Sequence, residues 1–244
     1  MRRAWIFRQP CIGIACFCLL GMARAQAQNI QAELAAIQEA YQCNQRFSLQ
    51  MEFTLFAAHD ASSILEQENG QIYQAGASRK EQYFGYEVLY NPGQRLIINH
   101  EAQTVLVQPA IEANSEPLSH SYFQEIAPLV AQCEEALLIP QGNQRLMRFR
   151  CSKSSYEQVT ISYIAQSRMI QEINLYFRNP LSPDEGGTGG KPRIRNPYSD
   201  IRLDPEFAGD FFAAQAVLKK RAGGYQLTEA YRNYTLLNEA EPAK

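Results

Sequence analysis

FSLQMEFTL, residues 47–55, decides the fold: Phe47, Leu49, Met51, Phe53 and Leu55 are apolar, and Ser48, Gln50, Glu52 and Thr54 between them are polar. A period of two places every large side chain on one face of a strand and every polar one on the other. The same texture continues through ILEQENGQIYQ, RKEQYFGYEVLY, RLIINH and TVLVQ, up to Gln108. Asn91-Pro92-Gly93 and His100 to Gln103 supply reversals, and Gly70 reads as a bulge or tight turn dividing the second strand pair. Strands joined by such short links pair antiparallel, because parallel neighbours need a longer crossover.

Before this meander, Ile30, Leu34, Ile37 and Tyr41 recur at helical spacing, with Gln31, Glu33, Gln38 and Glu39 read as the opposite face. A helix over 29–43 with Asn29 as its N-cap follows. After it, Ser121 and Gln124 resemble a capping box, and Tyr122, Phe123, Ile126, Leu129 and Val130 share a helical face broken by Pro128. Short helical pieces are therefore expected across 119–133. Strands resume in EALLIP, QRLMRFRC, YEQVTISYI and MIQEINLYF, with turns at Gln141-Gly142-Asn143 and Ala165-Gln166-Ser167. A Gly- and Pro-rich loop spans 179–192, and RIRNPYSDIRL beyond it is expected at a sheet edge because of Pro197. The tail has a Gly223-Gly224 turn, many tyrosines and a glycosylation sequon at Asn233-Tyr234-Thr235.

The first 25 residues carry the layout of a signal peptide: basic Arg2, Arg3 and Arg8, the apolar run Cys11 to Met22, and Ala23-Arg24-Ala25 as the cleavage site. The run is short for a membrane span, which takes ~20 apolar residues. Cys16 as a lipidated cysteine and Arg2-Arg3 as a twin-arginine signal fit the layout less well. Export to the periplasm is expected. Removing the leader's four arginines from 23 Lys+Arg leaves 19 against 25 Asp+Glu, a formal charge of −6. An acidic chain whose basic clusters are short, at Lys191 to Arg195 and Lys219 to Arg221, argues against nucleic acid. Three cysteines remain, Cys43, Cys133 and Cys151. Cys133 and Cys151 flank a hairpin and are the first choice for a disulfide, while three buried thiols remain open as the alternative.

Catalytic signatures are few. His59, His100 and His120 read as surface residues, and no nucleophile elbow, zinc-binding helix or phosphate loop occurs. No metal or cofactor is expected, and no enzyme. A sheet of roughly ten or more strands with thin helical cover suits an open antiparallel barrel around an apolar cavity. Taken alone, the alternation fits a closed, filled core better, because alternating strands usually mean core.

A leader, one amphipathic helix and a long meander ending in DIRL resemble the periplasmic outer-membrane lipoprotein carrier family (LolA/LolB-like). MEFTLFA, NGQIYQAG and VLYNPGQRLIINHEAQTVLV carry the likeness. The resemblance implies an α+β fold: an open antiparallel half barrel closed by an N-terminal helix and short central helices, forming a single domain over 26–244. A C-terminal extension begins at about 204. It further implies a soluble monomeric carrier that binds lipid or lipoprotein acyl chains without covalent chemistry. Its partners would be acylated lipoproteins and the inner- and outer-membrane sorting components. The expected cavity lining is Phe47, Leu49, Met51, Phe53 and Leu55, with Leu96, Ile98, Val105, Val107, Val159 and Ile161. Two rivals stand beside it: an envelope interaction or sensor module with a filled core and a protein partner, and an enzyme with a polar cleft.

Overall fold

The computed structural model describes residues 30–41, 45–60, 63–109, 130–181, 189–222 and 224–238. The leader, Cys43, most of the expected central helical region, His120 and the middle of the glycine-rich loop lie outside the described residues.

Residues 30–41 form helix α1. The strands are β1 (Arg46–Phe56), β2 (Ile64–Ala75), β3 (Ser78–Tyr83), β4 (Tyr86–Asn91), β5 (Gln94–Asn99) and β6 (Thr104–Pro109). Then come β7 (Glu135–Gln141), β8 (Gln144–Arg150), β9 (Tyr156–Ile164), β10 (Ile170–Phe177), β11 (Arg193–Leu203), β12 (Leu218–Arg221), β13 (Gly224–Leu227) and β14 (Thr235–Asn238). Among the described residues, twelve strands make one sheet in the order β14-β6-β5-β4-β3-β2-β1-β11-β10-β9-β8-β7, and β12 and β13 form a separate hairpin. The sheet is open, with β14 and β7 at its two edges. All its pairs are antiparallel except β14 with β6, which is parallel. β1, the first strand, sits in the middle.

Three expectations change. Gly70 makes no turn: β2 runs straight through it, and the reversal falls at Gly76, whose φ is +57°. Pro197 does not mark an edge, since β11 lies between β1 and β10. The strand tolerates it locally, because the β1–β11 ladder pairs Met51 with Tyr198 and Thr54 with Arg195 and skips the residues between. Glu33 lies on the buried face of α1, three residues after Ile30 and four before Ile37. Its carboxylate accepts hydrogen bonds from Arg145, from Arg168 and, at 2.7 Å, from the Tyr163 hydroxyl.

The apolar surface of the sheet changes sides across its width. In one half, Leu55 pairs with Ile194, and the row continues through Leu175, Val159 and Phe149. This face carries α1: Ile30, Ile37 and Tyr41 pack with Phe47, Leu49, Met147, Val159, Ile161 and Ile173. The reverse face of that half is polar, with Thr54, Arg195, Asn174, Thr160 and Arg148 in one row. In the other half, Ser48 pairs with Tyr73, and the row runs on through Lys80, Leu89, Leu96 and Val107. Here the reverse face is the apolar one. It is covered by the C-terminal segment, where Ala214, Val217 and Leu218 pack on Leu89, Leu96, Ile98, Val105 and Val107. The α1 face of this half instead carries a polar row, the buried Gln74 and Arg79 followed by the half-buried Tyr90 and Arg95, with Arg79 also paired to Glu81.

Cys133 and Cys151 form a disulfide that ties the entry of β7 to the exit of β8, with a sequence separation of 18. A loop of that order contributes roughly 3 kcal/mol through the unfolded chain.

Candidate functional site: a cleft at the centre of the sheet

β1 and β2 outrun β3. Their ladder extends from Arg46 opposite Ala75 to Phe56 opposite Ile64, whereas β3 joins β2 only from Gln71 to Ala75. The β3–β4 hairpin thus ends early, in a two-residue turn at Phe84 and Gly85 with φ of +50° and +70°. Two left-handed residues are what a tight hairpin of this twist requires. Glycine meets that freely; a phenylalanine there is strained. The Phe84 ring stands edge-on to Phe53, with centroids 5.1 Å apart.

A cleft of about 570 Å³ fills the step between the long pair and the short one. Its floor is Gln50, Met51 and Glu52 of β1. One wall is Glu68, Asn69, Gly70 and Gln71 of β2, and another is Gln82 to Tyr86 around the turn. Pro197 and Ser199 of β11 and His100 complete the rim. Pro197 brings no amide hydrogen, so the cleft opens where the β1–β11 ladder is interrupted.

Met51 aside, the side chains of the lining are mostly amide, carboxylate and aromatic, with no lysine or arginine among them. Gln82 Nε2 donates to Glu87 at 3.0 Å, and Thr54 Oγ1 donates to Glu52 at 2.9 Å. His100 Nδ1 lies 3.0 Å from the Tyr234 hydroxyl. Burial, helped by neighbouring Glu81, pushes the Tyr83 hydroxyl up to about 12, so it stays protonated as a donor. Such a surface recognises a polar, neutral or cationic ligand through hydrogen bonds and ring contacts. Among the described residues, no three His, Cys, Asp or Glu side chains gather as a metal site. His59 lies away from the cleft lining, its Nε2 3.1 Å from the Phe177 carbonyl and its ring against Tyr176.

The expected cavity residues are dispersed. Phe47 and Leu49 are buried under α1, as are Val159 and Ile161, each 0% exposed. Leu96, Ile98, Val105 and Val107 are buried on the opposite face under the C-terminal segment. Side chains on opposite faces of one sheet do not surround one space. Met51, Phe53 and Leu55 are half-buried. Of these Met51 lines the cleft and Phe53 touches its Phe84 wall. The polar lining was missed because period-two reading assigns polar positions to solvent. The mismatch in length between ILEQENGQIYQ and RKEQY was the available signal.

No protein-family model matches the chain, and no curated protein matches it in sequence. Solved structures similar to it include an uncharacterized conserved protein from Thermus thermophilus. That likeness has 7% identity, covers 84% of this chain and 98% of that one, and has a TM-score of 0.44. Another is the MucA/MucB complex of Pseudomonas aeruginosa, with 10% identity, 81% and 62% coverage and a TM-score of 0.44. A third is a LolA superfamily protein from Nitrosomonas europaea, with 12% identity, 76% and 97% coverage and a TM-score of 0.32.

Proposed function

We propose that the chain is an exported, non-catalytic binding module of the cell envelope whose ligand is a segment of a partner protein, held at the central cleft. One observation carries this reading. Both apolar faces of the sheet are already covered by the chain's own segments, α1 on one and residues 214–218 on the other. The cleft of about 570 Å³ has Met51 in its floor and is otherwise lined mainly by amides, carboxylates and aromatic rings, which suits a peptide better than an acyl chain. Acyl binding in the manner of a lipoprotein carrier is the second reading. It is favoured by the half-buried row Met51, Phe53 and Leu55, which lies on the α1 face.

Native mass spectrometry on protein purified from its own envelope separates the two. The binding-module reading expects a mass without lipid. A photo-crosslinking residue in place of Tyr86, which is 39% exposed at the cleft, is then expected to capture a discrete protein that the same probe at Glu135 does not. A stoichiometric acyl species released on denaturation overturns this reading in favour of the carrier.

A further inference from the structure

The β1–β2 pair leaves half of β2 without a neighbour on its outer side. Among the described residues, β3 pairs with β2 from Gln71 onward, so the backbone from Ile64 to Asn69 is an open sheet edge. All six of these residues are exposed, including Ile64 at 54% and Leu65 at 37%. Every second residue of such an edge directs its N–H and C=O outward, ready for another strand. The edge runs directly into the cleft, which Glu68 and Asn69 help to line.

Charge selects the occupant. Glu66 lies opposite Leu55 and Glu68 opposite Phe53, so both carboxylates project from the same face of β2, two residues apart. Glu52 stands in the cleft floor, and no lysine or arginine lines it. A second copy of this edge would bring the same acids against these, and like charges directly opposite are unfavourable. A strand with lysine or arginine at alternate positions would place each cation opposite one carboxylate. We propose that Ile64 to Asn69 takes up an extended segment of a partner protein by strand addition, and that the segment carries basic residues at alternate positions facing Glu66 and Glu68. This deepens the binding-module reading and rests on it.

The test uses the mature chain and three fluorescent octapeptides: one alternating Lys and Val, one with the same sequence N-methylated at alternate amides, and one alternating Glu and Val. Anisotropy at 0.1 M salt is expected to show binding of the first and none of the third. N-methylation is expected to weaken it at least tenfold, because it removes backbone donors and keeps the charge. The double variant E66K/E68K is expected to lose binding at an unchanged melting temperature, since both side chains are exposed. Equal binding of the N-methylated peptide, equal binding by E66K/E68K, or no binding of the alternating peptide at 1 mM overturns strand addition. The Tyr86 crosslink separates this failure from that of the parent reading. If E66K/E68K still captures the same protein, the edge proposal falls and the module stands. If wild type captures none and carries lipid, both fall.

Discussion

Met51 and Gly70 stand opposite each other across β1 and β2, and a Cβ on Gly70 would lie 2.9 Å from the Met51 Cε and 3.0 Å from the Gln82 carbonyl oxygen. The methionine end can swing away; the carbonyl belongs to the backbone and cannot. Gly70→Val is therefore expected to destabilise the protein by about 1–2 kcal/mol, as overpacking does. Met51→Ala is expected to recover part of that loss. Urea unfolding of the two single variants and the double variant checks this, with non-additivity as the expected result.

Glu33 anchors α1 to the sheet through Arg145, Arg168 and Tyr163. Glu33 is 7% exposed, while the arginine side chains are 35% and 26% exposed, so solvent weakens the interaction relative to a fully buried network. Glu33→Ala is expected to cost about 2 kcal/mol, less than the loss of a fully buried pair. Arg145→Met, which leaves Arg168 in place, is expected to cost less. Chemical denaturation with tryptophan-independent detection, such as far-ultraviolet dichroism, reads both.

Buried tyrosines set the alkaline limit. Burial pushes the Tyr41, Tyr83 and Tyr163 hydroxyls up to about 12, and for Tyr163 the Glu33 carboxylate adds to it. In the unfolded chain they ionise near 10. Above that pH the unfolded state has lost protons that the folded state keeps, so stability is complete below pH 10 and falls between pH 10 and 12. A melting-temperature series across this range, with Tyr41→Phe flattening the decline, is the check.

The C-terminal segment is part of the core. Val217 is 1% exposed against Leu96 and Val105, each 0%. Val217→Asp is expected to cost about 3 kcal/mol or more, the range for an unpaired charge in a core. Ending the chain after Leu203 is expected to give a product that binds an apolar dye and unfolds without cooperativity.

The strands, the helix and most turns were legible because alternation and turn chemistry are local. Pro92-Gly93 even fixes the pairing of Leu89 with Leu96, and the turn after Asn99 fixes Ile98 with Val105. The exchange of apolar faces was not read, although Val88-Leu89, Leu96-Ile97-Ile98 and Val105-Leu106-Val107 carry its mark. Uninterrupted apolar runs signal strands with both faces covered. What lay beyond local reading is the meeting of β1 with β11, which no turn dictates. The cleft was hidden with it, since its floor and its Pro197 rim come from those two strands.

β1 has a consequence for how the chain assembles. From β1 to β6 and from β7 to β11, each strand pairs with the next one made, so each meander closes locally, the 179–192 loop being the long link. The seam between them joins Met51 to Tyr198, and these are separated by most of the chain. Contacts so distant in sequence carry the largest loop-closure cost and form late. As the chain is made, β1 emerges first of the strands and waits for β11, its apolar row lacking one flank. Closing that seam is what completes the cleft, so the cleft exists only in a chain whose two meanders have met.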